Sequence, residues 1–457
     1  MQIKALEKFF NPKSVAVIGA SREEKKIGQV IFKNLITLEQ FGVKVFPINP
    51  FALEILGRKC YKSVFEIPGR VDLAVIAIPA KSVPGVVEEC GEKGIRNVII
   101  ISAGFGEVGE LELEKQLETV LKKYGIACLG PNCLGVIDSY SGIDTFFHPL
   151  ERLRRPEKGE IAFIAQSGAV CSTILDLAVA EGFKFSKIIS YGNALNVDES
   201  DLLEFLSYDK KTKIICLYIE GVKDGKKFFS VAKRAAKRKK IIILKGGKTP
   251  HGAKAAVSHT GILAGEAKIY SGAFKQCGLI EAKNLSEFYD FLRAFEFAAP
   301  CKGNRIQIIT NGGGFGILTS DEITNNNLKM AELTRQSVAK LKKFLPKEAV
   351  VANPIDILGD ATTARYYKTI ETCLKDPNND ILIVIILPQV PEIEEDIIDC
   401  IAYFKALKQK PVFVIATGSE FTEKIGKALI ARGVPVFAYP ESAIRAISAV
   451  VEYYRKI

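Results

Sequence analysis

Short, mostly apolar runs recur along the chain, each closed by a turn of small residues and followed by a helix-spaced segment. The first five are Ser14-Val-Ala-Val-Ile-Gly-Ala-Ser21, Val43-Lys-Val-Phe-Pro-Ile-Asn-Pro50, Leu73-Ala-Val-Ile-Ala-Ile-Pro79, Asn97-Val-Ile-Ile-Ile-Ser-Ala-Gly104 and Ile126-Ala-Cys-Leu-Gly-Pro131. Strands without polar alternation are buried on both faces. Alternating with amphipathic helices, they predict an α/β fold with a parallel sheet covered on either side. Ligands of such sheets gather at the carboxyl ends of the strands.

The pattern restarts twice. After the Pro-rich, charged stretch His148 to Gly159, a strand runs from Gly159 into Gln166-Ser167-Gly168-Ala169, and helical spacing follows from Val170 to Glu181. Strands at Ile214 to Ile219 and Ile241 to Leu244 continue this second group. The segment Leu292 to Gly303 reads as a helix end and linker, after which Asn304 to Gly316, Asp380 to Leu387 and Val412 to Thr417 repeat the pattern. We therefore expect a Rossmann-like domain over residues 1–147 and two flavodoxin-like parallel-sheet domains over 148–300 and 301–457.

Composition narrows the class. Of 457 residues, 48% are hydrophobic and 25% charged, which fits an ordinary soluble globular chain. No apolar run reaches membrane-spanning length, and the start Met1-Gln-Ile-Lys-Ala-Leu-Glu-Lys has no signal-peptide core. Ten cysteines are scattered without a C-x-x-C pair, so we expect reduced thiols in a cytoplasmic protein and no metal set. The net charge of +11 suits anionic small ligands. The basic run Lys233 to Lys240 has no interleaved aromatic platform, so it reads as a solvated helix face and not a nucleic-acid site.

Candidate chemistry lies at the strand ends. The first turn, Gly19-Ala-Ser-Arg-Glu-Glu-Lys-Lys-Ile-Gly28, is not G-x-G-x-x-G, and Asn49 stands where a nicotinamide dinucleotide site wants an acid. That argues against an NAD-linked dehydrogenase. Backbone N–H groups of the turn, with Ser21, Arg22, Lys25 and Lys26 nearby, can cradle a phosphate; simple solvation of the lysines is the plain alternative. Ser167-Gly168 opens a helix whose free N–H donors form a second phosphate seat, unless this is an ordinary strand–helix turn. Strand Ile214 to Ile219 stops on Glu220. The stretch Lys254-Ala-Ala-Val-Ser-His259-Thr-Gly-Ile-Leu-Ala-Gly265 reads as a Gly-rich loop that leaves its imidazole uncrowded. Glu220 can accept one ring N–H of His259 and free the other nitrogen as a nucleophile. The competing reading is a histidine satisfied by backbone bonds and a solvated glutamate.

Taken together, these pieces resemble a known family. Val17-Ile-Gly-Ala-Ser21, Ile101-Ser-Ala-Gly-Phe-Gly106, Gly130-Pro-Asn-Cys-Leu-Gly135, Ala165-Gln-Ser-Gly168, Gly192-Asn-Ala-Leu-Asn-Val-Asp-Glu199, Ile219-Glu-Gly221, Ser258-His-Thr-Gly261 and Asn311-Gly-Gly-Gly-Phe-Gly316 run in order through the chain. The chain resembles alpha subunits of ADP-forming acetyl-CoA (acyl-CoA) synthetases, in the succinyl-CoA-synthetase superfamily. The resemblance implies that the first domain binds coenzyme A. Gly19, Ala20 and Ser21 would face its phosphates, Lys25, Lys26 and Asn49 would also bind it, and Ile78, Pro79, Ser102, Ala103 and Gly104 would line the groove. Asn132 and Cys133 would lie near the reacting thioester and phosphate. His259 would carry phosphate, supported by Glu220, and Ser167, Gly168 and Ala169 would hold the phosphoryl group.

The implied reaction is acyl-CoA + phosphate + ADP ⇌ carboxylic acid + CoA + ATP, through an acyl phosphate and a phosphohistidine. The chain shows no ATP-grasp segment, so the resemblance implies a separate ATP-grasp beta subunit in an α2β2 assembly, carrying the ADP/ATP site and Mg²⁺. The rival reading is a non-catalytic CoA-binding regulatory subunit. Such a protein is expected to lack His259 or Glu220, and both are present.

Overall fold

The computed structural model describes the backbone of residues 3–260 and 266–456, and the side chains of 5–256 and 266–456. The chain divides into two compact units, Met1–Glu281 and Ala282–Ile457. Among the described residues, no helix is long and apolar enough to cross a membrane.

The first unit holds two main sheets. Strands β1 (Ser14–Ile18), β2 (Lys44–Ile48), β3 (Leu73–Ile76), β4 (Asn97–Ile100) and β5 (Ala127–Leu129) form a five-stranded sheet in the order β2-β1-β3-β4-β5. Every pairing in it is parallel. Residues of β1 and β3 are buried on both faces, as unbroken apolar strands require. The second sheet is built from β6 (Gly135–Asp138), β7 (Lys158–Ala165), β8 (Phe185–Ser190), β9 (Ile214–Ile219), β10 (Lys240–Lys245) and the short edge strand β11 (Ile280–Ala282). Its order is β11-β10-β9-β7-β8-β6. Here β6 runs antiparallel to β8, a pairing not foreseen from the sequence. It carries the chain from the first sheet directly onto the edge of the second.

Local signals set the helix starts. Ser167 caps the helix Gly168–Ala180 by accepting the N–H of Val170. Asp198 and Asp201 form a capping box at the helix Glu199–Tyr208. Lys227 ties both of these carboxylates at 2.9 and 2.8 Å.

One expectation changes. Residues Pro250–Thr260 form a helix where the sequence reading expected a Gly-rich loop. Pro250 is preset for the first helical position, and Ala253, Ala255 and Ala256 are strong helix formers, so the stretch up to Thr260 favours helix over loop.

In the second unit, β12 (Arg305–Thr310), β13 (Lys329–Met330), β14 (Ile355–Asp356), β15 (Ile381–Ile386), β16 (Val412–Ala416) and β17 (Val436–Phe437) make a sheet ordered β13-β12-β15-β16-β17, with β14 also paired to β12. The ladder pairings are parallel. Ile383 and Ile385 of its central strand are fully buried. The third parallel-sheet module thus has the layout expected from the apolar runs.

Candidate functional site

A cavity of about 700 Å³ opens at the carboxyl ends of strands from both sheets of the first unit. Ile78 and Pro79 follow β3, Ser102 and Ala103 follow β4, and Asn132 and Cys133 follow β5. From the second sheet come Ser167, Gly168 and Ala169 after β7, and Gly192 and Asn193 after β8. The groove, thioester-end and phosphate-seat residues singled out in the sequence therefore line one space, apart from Gly104.

Short bonds fix its walls. The hydroxyl of Ser102 accepts the N–H of Ile78 at 3.1 Å and donates to the Ile78 carbonyl at 2.5 Å. Asn132 sits at φ 56°. Gly192, at φ 59°, lies so close that a Cβ there would stand 2.3 Å from the carbonyl oxygens of Pro131 and Asn132. Only glycine allows that approach. Cys133 is buried, its thiol donating to the Ile100 carbonyl at 3.3 Å, and burial pushes its pKa up to about 12. It is therefore a neutral wall group and not a thiolate.

No described residue lining the cavity is Lys, Arg, Asp or Glu. An anion bound here meets backbone N–H groups, the start of the Gly168–Ala180 helix and side-chain amides.

Glu220, at the end of β9, is buried but does not line the cavity. Gln166 connects the two. Its Oε1 accepts the N–H of Glu220 at 2.7 Å and of Gly221 at 3.3 Å. Tyr218 donates to the Glu220 carboxylate at 3.3 Å, and the Lys245 ammonium donates to the Glu220 carbonyl at 2.7 Å. A Cβ at Gly246 would lie 2.7 Å from the Tyr218 hydroxyl, so the turn after β10 closes tightly over this group.

His259 lies in the last turn of the helix Pro250–Thr260; its side chain, and residues 261–265, lie outside the described residues. That helix packs against the short turn Gly106–Val108. Glu107 of this turn accepts a bond from the Asn193 amide at 2.6 Å, and Asn193 is at the cavity wall. The helix carrying His259 is thus seated one residue pair from the cavity rim.

The remaining coenzyme-binding candidates are placed differently. Gly19 packs under the groove, where a Cβ would stand 2.2 Å from the Ala77 carbonyl. The Asn49 amide donates to the Ala20 carbonyl at 2.8 Å and its Oδ1 accepts the N–H of Phe51 at 2.9 Å, so it braces the first turn. Ser21 accepts the N–H of Glu23 at 3.0 Å. Lys26 pairs with Glu23 at 2.9 Å on the exposed surface, and Lys25 lines a different cavity, beside Arg58 and Arg152. Gly104 donates its N–H to Glu107 at 2.6 Å.

Gln166, Asn193, Phe147 and His148 are among the cavity residues to which the sequence assigned no role. Gln166 and Asn193 sit inside quoted motifs, and a glutamine ending an apolar strand was the available signal. Phe147 belongs to no motif and His148 opens the linker-like stretch, yet both line the cavity, stacked at 5.0 Å. Burial, with the Arg155 charge, lowers the pKa of His148, and its Nδ1 is buried without a partner. Among the described residues, no three His, Cys, Asp or Glu side chains cluster as a metal set.

Comparison with known proteins agrees with this layout. Residues 13–139 match the family model of a CoA binding domain, 158–295 that of a succinyl-CoA ligase like flavodoxin domain, and 306–456 that of a ligase-CoA domain. The chain is 43% identical to the alpha subunit of acetate–CoA ligase [ADP-forming] II from Pyrococcus furiosus, covering 99% of this chain and 98% of that one. It is 44% identical to acetate–CoA ligase [ADP-forming] from Methanocaldococcus jannaschii, covering 97% of this chain and 62% of the longer relative. The solved structure of Ca. Korarchaeum cryptofilum dinucleotide forming acetyl-coenzyme A synthetase 1, in complex with phosphate and ADP, superposes with a TM-score of 0.91 at 37% identity, covering 99% of this chain and 97% of that chain. The chain belongs to the family of ADP-forming acetate–CoA ligases, and along its length it matches that family's alpha subunit.

Proposed function

We propose that this chain is the alpha subunit of an ADP-forming acyl-CoA synthetase, with acetyl-CoA as its default substrate. The reaction is acyl-CoA + phosphate + ADP ⇌ carboxylic acid + CoA + ATP. A separate ATP-grasp beta subunit, in an α2β2 assembly, supplies the nucleotide site and Mg²⁺. The modules are CoA-binding over 1–147, phosphohistidine-carrying over 148–300, and a further flavodoxin-like domain over 301–457.

The observation that carries this reading is the shared cavity. Ile78, Pro79, Ser102 and Ala103, after strands of the first sheet, and Ser167, Gly168 and Ala169, after a strand of the second, all line it, with Asn132 and Cys133 between them in chain order. A thioester laid along the first group meets a phosphate seated on the second. A phosphate oxygen attacks the thioester carbonyl and the CoA thiolate leaves, giving an acyl phosphate. A ring nitrogen of His259 then attacks phosphorus and the carboxylate leaves. Finally a terminal oxygen of ADP takes the phosphoryl group and frees the imidazole. Positioning and charge stabilisation dominate such transfers, which suits a neutral cavity lined by fixed dipoles. Glu220 steadies the imidazole, the Gly19–Ser21 turn faces the CoA phosphates, and Lys25, Lys26 and Asn49 serve CoA binding.

The test is reconstitution. The purified chain alone binds CoA and makes no ATP; with an ATP-grasp partner it forms ATP from acetyl-CoA, phosphate and ADP. Robust ATP synthesis by the chain alone contradicts the division of labour. No CoA binding by the chain contradicts the assignment of the first domain.

A further inference from the structure

Gln166 is a lining residue whose side-chain amide is fixed at one end and open at the other. Its carbonyl oxygen is taken by the N–H groups of Glu220 and Gly221, which settles which end of the amide is oxygen. Its Nε2 then faces the other way. The residue is only 2% exposed, Nε2 has no hydrogen-bond partner, and the side chain lines the cavity. A buried amide nitrogen with two unmet donors carries a substantial desolvation penalty, and native folds seldom leave one without a function.

The surroundings say what it would bind. Gln166 directly precedes Ser167, the N-cap of the thirteen-residue helix Gly168–Ala180, whose first N–H groups open on the same space. Described residues lining the cavity include no lysine or arginine, so an anion is met by neutral N–H and O–H donors. The donor set of helix start plus Gln166 Nε2 matches a tetrahedral oxyanion, which accepts several bonds at once. A thioester carbonyl offers one weak acceptor and no charge.

We infer that Gln166 is a catalytic residue of the phosphoryl steps, its Nε2 donating to an oxygen of the phosphate, and then of the acyl phosphate, seated at the Ser167–Ala169 helix start. This rests on the proposed reaction. The same side chain, by holding the backbone of Glu220 through Oε1, sets the carboxylate that serves His259 and the phosphate that His259 receives in one frame. Bond making and breaking are unchanged; Gln166 supplies hydrogen bonds and gives up no proton.

Gln166→Glu separates the two roles, because a carboxylate keeps the acceptor for Glu220 and Gly221 and loses the donor. In the reconstituted enzyme the KM for phosphate should rise roughly tenfold or more, while the KM for acyl-CoA stays within about twofold. The defect should widen as pH rises, since only a protonated carboxyl can donate. Unchanged phosphate KM, or equal rises for phosphate and acyl-CoA, overturns the inference. Equilibrium dialysis of labelled inorganic phosphate against the full chain reads the same point without turnover. Binding by the wild type that is lost in Gln166→Glu supports it, and equal binding, or none by the wild type, overturns it. Should Gln166→Glu fail to fold, Gln166→Met is the second variant: it lowers the unfolding midpoint and, on this account, also abolishes phosphate binding while leaving CoA binding intact. Phosphate binding retained by Gln166→Met overturns the assignment. A wild-type complex that binds phosphate but never turns over contradicts the proposed reaction instead, and leaves the donor assignment standing on its dialysis result.

Discussion

The side-chain amide of Asn193 donates to the carboxylate of Glu107 at 2.6 Å, joining the loop after β8 to the turn after β4 across the cavity rim. Burial alone would raise the pKa of Glu107. The N–H of Gly104, with Asn193 and Phe105, more than offsets it and holds the carboxyl below its ordinary value. A hydrogen bond to a charged group contributes about 1.5–3 kcal/mol. Asn193→Ala should therefore lower the unfolding free energy by about 1–2 kcal/mol, since Glu107 keeps its backbone donors, and should weaken CoA binding. Denaturant titration and calorimetric CoA binding check this. Because the Glu107 pKa is depressed, its contribution is present at neutral pH and is lost as pH falls through the folded-state value.

Gly192→Ala should be far more damaging than an ordinary glycine change. The new Cβ meets the Pro131 and Asn132 carbonyls at 2.3 Å, and the positive φ adds about 1–2 kcal/mol for a residue with a side chain. Gly182 is the control: φ is +84° there, but a Cβ meets nothing within 4 Å. We expect Gly182→Ala to lower the melting temperature modestly with unchanged turnover, and Gly192→Ala to cut turnover as Asn132 is displaced. Equal effects on turnover would contradict the tight-packing account.

Glu199 is buried, and burial, with the neighbouring Asp198 charge, raises its pKa to about 8. A raised value means the folded state keeps a proton that the unfolded chain releases near pH 4.3. The contribution to stability is whole below that pH and declines as pH climbs to about 8. Glu199→Gln should remove this decline, so its urea midpoint changes less than the wild type's between about pH 6 and about pH 9. Parallel midpoint curves would show that Glu199 is not the group responsible.

Cys133 should resist alkylation. Burial holds its thiol near the cavity but pushes the pKa up to about 12. Iodoacetamide at about pH 8 should leave it unmodified in the folded chain, by peptide mass spectrometry. Cys133→Ala should keep phosphoryl transfer. Loss of transfer, with CoA binding intact, would make the thiol a participant.

Much of the fold could be read from periodicity. Strands such as Leu73–Ile76 and Ile381–Ile386 are apolar throughout because helices cover both faces, and that burial is written directly in residue type. The antiparallel edge strand Gly135–Asp138 was not legible, since its four residues carry no alternation and its partner lies about fifty residues later. The site was legible where chemistry follows a strand end, as at Ser102 and Ser167. It was not legible at His148, which a linker-like composition concealed, nor at Gln166, whose meaning depends on which of its two amide ends is already bonded. The glycines after His259 suggested a loop, while the alanines before it favour helix over Pro250–Thr260.

The central claim is that one imidazole carries the phosphoryl group between acyl phosphate and nucleotide. The most direct measurement is tandem mass spectrometry of the complex of this chain with its ATP-grasp partner, trapped with ATP and Mg²⁺ and digested under alkaline conditions. The account predicts an acid-labile, base-stable phosphoryl group on His259, absent from His259→Ala, whose turnover is also lost. Label on any other residue of this chain, or turnover that survives removal of the imidazole, would contradict it.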